Sequence, residues 1–321
     1  MELLRVENLK TYFHISEGIV KAVDDVSFKL ETGQCLGLVG ESGCGKTTTA
    51  LSINRLLPPE GNIVGGQIYL ESVNLTTLSD DEIRKRRWKD ISMVFQGAMN
   101  AMNPVMKIGE QIAEAVVLHQ QVSHQQAWDR AKELFELVEL EPGRISGYPH
   151  EFSGGMKQRA MIAMALACDP KLVIGDEPTT ALDVMVQAQI LNLLDKLRQT
   201  LNMGLIIITH DLSILGETCD RIAVMYAGKI VEIGSTEDIY DRHMHPYTYR
   251  LLMAFPNIHR PKLMPEPIPG TPPDLIRPPS GCRFHPRCDY ARDICREQEP
   301  GMTSAGGAHT YACHFGGAFN G

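Results

Sequence analysis

Short apolar runs separated by longer amphipathic stretches predict the order of elements along the chain. Residues 1 to about 30 alternate between apolar and polar positions, which is typical of strands. Runs at 172–174 and 205–208 are continuously apolar, as in parallel strands buried on both faces. The pattern becomes helical from about 108 to 140 and again over 184–200. This alternation of strands with helices predicts an α/β fold.

The composition is that of a soluble globular protein, with 43% hydrophobic and 22% charged residues among 321. A net charge of −8 gives no support to a nucleic-acid partner, because phosphate binding needs a basic face. We interpret the one basic run, at 84–89, as solvated surface. No run approaches the roughly 20 apolar residues of a membrane-spanning helix, and the first residues lack the features of a signal peptide. The sequence therefore predicts a cytoplasmic protein that reaches a membrane only through a partner.

The composition changes near residue 256. Nine of the 19 prolines lie within 256–279, which predicts an extended linking or wrapping segment. Four of the eight cysteines then fall within the last 40 residues. We therefore expect a main domain over 1–255 and a proline-rich and cysteine-rich region over 256–321.

An apolar run at 35–39 is followed by eight residues that match the phosphate-loop pattern G-x-x-x-x-G-K-[ST]: Gly40, Glu41, Ser42, Gly43, Cys44, Gly45, Lys46 and Thr47. In such a loop, backbone N–H groups converge on phosphates at the start of a helix. Lys46 would reach the β- and γ-phosphates of ATP, and the Thr47 hydroxyl would bind Mg²⁺. Thr48 completes the candidate nucleotide ligands. The alternative, a chance glycine-rich turn, is disfavoured by the predicted strand before the loop and the helix after it.

Cys44 lies inside this loop, where a thiol can act as a small filler. A thiol at a helix N-terminus is expected to have a lowered pKa. The sequence therefore predicts that Cys44 is vulnerable to alkylation.

Two adjacent carboxylates follow the apolar run at 172–174. Asp176 is placed to hold Mg²⁺ through the second shell, and Glu177 to orient and deprotonate an attacking water. The alternative is that both acids cap the following turn, which is plausible for one of them and not for both. With the phosphate loop, this pair predicts a P-loop NTPase.

Residues 152–159 (FSGGMKQR) resemble the signature motif of ABC (ATP-binding cassette) ATPases, about 20 residues before the carboxylates. Ser153 is a good N-cap, so the helix that follows would point its positive end outward. The resemblance implies that Ser153, Gly154 and Gly155 face the γ-phosphate held by a second cassette, with two ATP molecules between head-to-tail subunits. Met156 replaces the glutamine of many cassettes, and methionine is common here in the peptide-importer class.

The remaining ABC motifs occur in the expected order. Gln96 matches the Q-loop glutamine, which the resemblance implies senses Mg²⁺ and water and links to the membrane subunits. Asp183 matches the D-loop residue that crosses to the partner site. His210 matches the switch histidine, which would hydrogen-bond the γ-phosphate and hold Glu177 and the water in line.

An aromatic residue near the N-terminus completes the implied nucleotide site. Phe13 matches the residue that stacks on adenine in this family. Tyr12 is the alternative, and either ring could instead be core packing.

The C-terminal region carries a further resemblance, to the oligopeptide/dipeptide importer class, beginning at residues 245–248 (HPYT). Four cysteines follow with the spacing C-x5-C-x6-C-x17-C: Cys282, Cys288, Cys295 and Cys313. Four thiolates suit Zn²⁺ or an iron–sulfur cluster. Structural zinc sites usually contain a tight C-x₂₋₄-C pair, and its absence here favours the cluster, the larger of the two. The resemblance implies a [4Fe–4S] cluster, with zinc and free thiols as alternatives. His285, His309 and His314 could each replace a cysteine as ligand.

The resemblance covers nearly the whole chain. It implies an ABC nucleotide-binding fold with a RecA-like core, an antiparallel β subdomain, a helical signature subdomain at about 97–165, and a metal-bearing tail. It implies an ATPase that powers a peptide importer from the cytoplasmic face of the inner membrane. The implied partners are a related but distinct second ATPase subunit, two transmembrane permease subunits and an extracytoplasmic solute-binding protein.

Three alternatives compete with this prediction. A soluble ABC ATPase of DNA repair or the ribosome would usually carry coiled-coil insertions or tandem cassettes, and neither is present. An iron–sulfur redox protein with an incidental cassette is disfavoured, because the full set of hydrolytic motifs is present. Some members of the resembled class import oligosaccharides or nickel instead of peptides.

Overall fold

The computed structural model describes residues 1–97, 101–180, 182–254 and 267–317. Parts of three segments discussed above lie outside the described residues: 98–100 after Gln96, Ala181 before Asp183, and 255–266 at the start of the proline-rich segment. The strands are β1 (Glu2–Ile15), β2 (Gly18–Glu31), β3 (Cys35–Val39), β4 (Gly61–Leu70), β5 (Val73–Asn74), β6 (Ile91–Val94), β7 (Leu172–Asp176), β8 (Gly204–Thr209), β9 (Arg221–Tyr226), β10 (Lys229–Ser235), β11 (Thr303–Gly306) and β12 (His309–Tyr311). The helices are α1 (Lys46–Ile53), α2 (Asp80–Arg86), α3 (Ile108–Gln120), α4 (His124–Leu137), α5 (Gly154–Ala165), α6 (Val184–Leu201), α7 (Thr236–Asp241), α8 (Pro246–Ala254) and α9 (Asp293–Glu297).

The chain divides into two compact units, each built from several segments. The first unit comprises Met1–Leu3, Leu30–Cys35 and Thr77–Ile207. The second unit comprises Leu4–Lys29, Leu36–Thr76 and Ile208–Gly321.

The first unit combines strands with a group of helices. β6 and β7 pair in parallel, and β8 lies on the other side of β7. All five residues of β7 are buried, as expected for a parallel strand covered on both faces. In the helical part, α3, α4 and α5 pack on one another, and the ring of Phe135 meets that of Phe152 edge to face. The strand at 172–174 and the helix at 184–200 are confirmed to within two residues.

The helical stretch at 108–140 is two helices rather than one. Gln121 adopts a left-handed conformation (φ 57°) that ends α3. Ser123 then caps α4, and its side chain and that of Gln126 form a reciprocal capping box. The periodicity hides this break because apolar positions continue on both sides of it.

The second unit holds two groups of strands. One is ordered β2-β1-β4-β5, with β1 and β4 antiparallel, which confirms antiparallel β structure near the N-terminus. The other is ordered β11-β12-β10-β9-β3, in which β3 and β9 are parallel and the remaining pairs are antiparallel. β3 is buried throughout and leads directly into the phosphate loop.

The C-terminal region docks on the second unit through a hairpin. β12 adds to the edge of β10, and the fully buried carboxylate of Glu232 receives hydrogen bonds from the N–H groups of Met244 and His245. His309 lies 2.8 Å from the same carboxylate. Pairing of these groups offsets the cost of burying a charge. The C-terminal region therefore does more than link or wrap, since its hairpin extends the β-sheet of the second unit.

None of the helices in the described ranges combines the length and the apolar character that crossing a bilayer requires.

Candidate active site

The phosphate loop occupies the turn between β3 and α1 in the second unit. Gly45 is the N-cap of α1 with φ +107°, and a Cβ there would lie 2.2 Å from the carbonyl oxygen of Ala22. Only glycine fits this position, because the backbone conformation and the neighbouring carbonyl both exclude a side chain. The predicted turn from strand to helix is confirmed.

Lys46 is buried within the loop, with 6% of its surface exposed. Its ammonium donates to the carbonyl oxygens of Gly40 at 2.6 Å and Glu41 at 3.0 Å. Ser42, Gly43 and Thr47 are exposed, and Thr48 is half-buried. The loop therefore presents open backbone and a hydroxyl beside a buried cation, a combination suited to a polyphosphate.

The predicted pKa of Cys44 is wrong in direction. Burial raises the pKa of this thiol, and this effect outweighs the lowering influence of Lys46. Only 5% of the residue is exposed. Cys44 therefore fills space in the loop. Its burial and raised pKa do not support the expected vulnerability to alkylation.

Phe13 and Tyr12 have different surroundings. The Phe13 ring lies over Gly61, where a Cβ would be 2.8 Å from the ring, and it is only half-buried. The hydroxyl of Tyr12 donates to Asp24 at 2.7 Å, and burial together with that bond raises its pKa to about 12. Since the Tyr12 side chain is held by its hydrogen bond to Asp24, Phe13 is the better candidate for the ring that stacks on adenine.

Two carboxylates stand at the end of β7 in the first unit. Asp176 is 2% exposed. Glu177 is half-buried, and its Oε2 accepts from Gln96 at 2.7 Å and from the Thr180 hydroxyl at 2.9 Å. Glu177 has φ +46°, a conformation that costs a non-glycine residue about 1–3 kcal/mol and that concentrates at functional sites. The structure thus brings together two residues that were predicted separately, Gln96 and Glu177.

Thr180 is a member of this cluster that the motif analysis missed. It lies three residues after Glu177, in the turn that the alternative interpretation assigned to capping. The sequence could have indicated Thr180, because a hydroxyl three residues after a carboxylate can hydrogen-bond to it across a tight turn. Glu177 therefore both contacts this turn and faces Gln96.

The signature residues and the D-loop aspartate line one open pocket in the first unit, together with the start of α6. Ser153 caps α5 by accepting from the N–H of Met156, and Asp183 caps α6 by accepting from that of Val186. A Cβ on Gly155 would come within 2.8 Å of Val186. Two helix N-termini thus meet at one surface, which favours negative charge there.

His210 follows β8 directly and is exposed in the second unit. This position agrees with the predicted end of a strand.

The four tail cysteines line a single pocket in the second unit. Most of the other residues that line this pocket are aromatic, including Phe284, Tyr290 and Phe315. All four are free thiols. Burial raises the pKa of Cys282 to about 11 and that of Cys288 to about 12. His314 and His285 also line the pocket, whereas His309 contacts Glu232. Within the described ranges, no three metal-binding side chains are grouped as the ligands of a single ion are.

Two family models match the chain. The first, ABC transporter, matches residues 23–180, and the second, oligopeptide/dipeptide transporter C-terminal region, matches residues 231–295. The two models together span the phosphate loop, the signature, the carboxylates and three of the four tail cysteines.

Curated proteins match over most of their length. A probable peptide ABC transporter ATP-binding protein of Sinorhizobium fredii is 47% identical over 97% of this chain and 94% of its own length. The dipeptide transport ATP-binding protein DppD of Bacillus subtilis is 45% identical, with the same coverage. The oligopeptide transport ATP-binding protein OppD of Escherichia coli is 45% identical over 93% of this chain and 89% of its own length.

A solved structure agrees with the fold. The dimeric structure of MJ0796, a bacterial ABC transporter cassette, superimposes with a TM-score of 0.66 at 27% identity. The alignment covers 73% of this chain and 98% of that chain.

Proposed function

The chain belongs to the ATP-binding proteins of ABC transporters that carry the oligopeptide/dipeptide C-terminal region, and from this membership we propose that it hydrolyses ATP to power the import of peptides. The structural observation that supports hydrolysis is the hydrogen bond between Gln96 and the carboxylate of Glu177 at the end of β7. A carboxylate held in this way can orient a water and accept its proton.

Each residue of the phosphate site has a role in this proposal. The loop N–H groups and Lys46 bind the phosphates, and Phe13 stacks on the adenine. Thr47, Gln96 and Asp176 would hold Mg²⁺, Asp176 through the second shell, and the bound ion would neutralise phosphate charge.

Hydrolysis and its control involve the remaining residues. Glu177 takes a proton from the attacking water, and His210 donates to the γ-phosphate. Ser153, Gly154, Gly155 and Asp183 face the nucleotide of a partner subunit, which fits the open pocket that they share.

The partners follow from the family. We propose a related but distinct second ATPase subunit, two permease subunits and an extracytoplasmic solute-binding protein, with this chain held peripherally at the cytoplasmic face of the inner membrane. Residues 1–255 would form the cassette, with its helical signature subdomain at about 97–165, and 256–321 the attached tail.

The function is tested in proteoliposomes that contain the complete transporter. We expect ATP hydrolysis to depend on the solute-binding protein loaded with peptide, and labelled dipeptide or tripeptide to accumulate inside. Uptake of an oligosaccharide or nickel, with no peptide uptake, would contradict the proposal that the cargo is a peptide. Tight binding of the purified chain to DNA or ribosomes, with no permease association, would favour the soluble alternative.

We also propose that Cys282, Cys288, Cys295 and Cys313 hold a [4Fe–4S] cluster. The fit is supported by four free thiols around one apolar pocket. The wide spacing of the four cysteines and the resemblance to the family favour a cluster over a single zinc. When bound, the cluster would cross-link tail segments that share little core.

The tail proposal predicts about four irons and four sulfides per chain after anaerobic purification. Cys288→Ser should lose most of this iron. Cys168→Ser is the matched control, because Cys168 is buried outside the tail and a serine can keep its bond to the carbonyl of Ala115. One zinc per chain without sulfide, or equal iron in both variants, would contradict the cluster.

A further inference from the structure

The tail reaches the phosphate loop through one buried arginine. The Arg287 guanidinium donates to both carboxylate oxygens of Glu41, at 2.7 and 2.9 Å. It also donates to the carbonyl of Pro269 at 2.7 Å and to the Tyr226 hydroxyl at 3.3 Å. Arg287 is only 7% exposed. A planar guanidinium that binds a carboxylate with two parallel bonds fixes geometry as well as charge.

Glu41 is the second residue of the phosphate loop, and every polar group it has is engaged. Its N–H donates to the Tyr247 hydroxyl at 2.9 Å, and its carbonyl accepts from Lys46 at 3.0 Å. Arg287 holds its carboxylate. The backbone of the loop is thus fixed at this residue from three directions, and two of the three partners come from the C-terminal part of the chain.

Three packed aromatic rings support the partners of Glu41. The rings of Tyr226, Tyr247 and Phe284 lie within 5.3 Å of one another, centroid to centroid. Phe284 belongs to the same tail segment as Arg287, and Tyr247 to α8. Since fully buried aromatic rings have little freedom, this cluster gives Arg287 a rigid support.

A carboxylate in a phosphate loop has a direct electrostatic consequence. Like charges repel, and the repulsion is strong where water is scarce. An unpaired Glu41 would oppose the polyphosphate that the loop binds, and a buried pair that loses one partner leaves its charge uncompensated. We propose that Arg287 is a positioning residue for ATP binding, which neutralises Glu41 and holds the loop in its binding conformation. This inference rests on the proposed ATPase function.

The proposal predicts an ordered series of affinities for MgAMP-PNP, a non-hydrolysable ATP analogue, measured by isothermal titration calorimetry on the full chain. Arg287→Gln should weaken binding about tenfold, the scale of a lost preorganised contact. Glu41→Gln should weaken binding less, by about threefold, because the loop loses its bidentate contact but the repelling charge is gone as well. The double variant Glu41→Gln/Arg287→Gln should bind as Glu41→Gln alone does, since the two changes act on one interaction.

Arg250→Gln is the matched control. Arg250 pairs with Asp289, next to Cys288, and so holds the same tail segment through a different ion pair. It should bind MgAMP-PNP as the wild type does. If Arg250→Gln weakens binding equally, tail attachment rather than Arg287 is responsible, and the proposal is overturned.

Two other results would overturn the proposal: wild-type affinity in Arg287→Gln, or a double variant as weak as Arg287→Gln alone. If Arg287→Gln does not fold, the comparison of Glu41→Gln with the double variant decides: a folded double variant that binds MgAMP-PNP more weakly than Glu41→Gln does refutes the proposal. A wild-type chain that does not bind MgAMP-PNP would instead refute the proposed function.

Discussion

Replacing Glu177 with glutamine is expected to lower kcat for ATP hydrolysis in the assembled transporter by about 10²–10⁴-fold, the usual contribution of a general base. The substitution keeps the size of the side chain and an oxygen that can still accept from Gln96 and Thr180. It removes only the ability to take a proton. Affinity for MgAMP-PNP should therefore stay within about threefold of the wild type, a change smaller than 1 kcal/mol. Phosphate release gives kcat, and titration calorimetry gives the affinity.

Thr180→Val is the matched control for this substitution. It removes a hydroxyl that donates to the same carboxylate oxygen at 2.9 Å but leaves the base in place. We expect a smaller loss of kcat, about tenfold, because the orientation of Glu177 is weakened and its proton affinity is retained. If Glu177→Gln keeps more than a tenth of wild-type kcat, the base is another group. If it loses nucleotide binding, the residue has a structural role.

Much of the core could be predicted because local pattern and buried structure agree there. The runs at 172–174 and 205–208 lie in strands, and the helix after Gly45 begins where the loop pattern places it. The resemblance to the family implied separate roles for Gln96 and Glu177, but it did not imply the hydrogen bond that joins these residues, 81 apart. The ABC family itself is confirmed by both family models and by relatives over nearly the whole length.

Several features could not be read from the sequence because they depend on tertiary surroundings. The helix-terminal position of Cys44 suggested a reactive thiol, but burial dominates its pKa. The break before Ser123 depends on a left-handed residue at Gln121 that no glycine signals. The ion pair of Glu41 and Arg287 joins residues 246 apart, and no local pattern links them. The contacts that hold the motif residues in place are therefore set by tertiary packing and not by sequence spacing.

The second large effect is expected for Gly45→Ala, which should unfold the chain more easily and abolish nucleotide binding. A Cβ at this position would lie 2.2 Å from the Ala22 carbonyl, and φ is +107°. A non-glycine residue in such a conformation costs about 1–3 kcal/mol, and overpacking adds about 1–3 kcal/mol. We expect a loss of about 2–6 kcal/mol in the free energy of unfolding, the sum of these two ranges. Urea unfolding measures it.

Gly43→Ala separates the cost of the backbone conformation from the cost of overpacking. It makes the same substitution in the same loop, so the two variants can be compared directly. Gly43 also has positive φ, +78°, but a Cβ there would meet no atom within 4 Å. It should therefore lose only the conformational part, about 1–3 kcal/mol in the free energy of unfolding. Equal destabilisation by both substitutions would show that steric contact with Ala22 does not fix the loop. A Gly45→Ala chain that is destabilised but still binds MgAMP-PNP normally would show that the loop tolerates displacement at the start of α1, and that Lys46 reaches phosphate without this close packing.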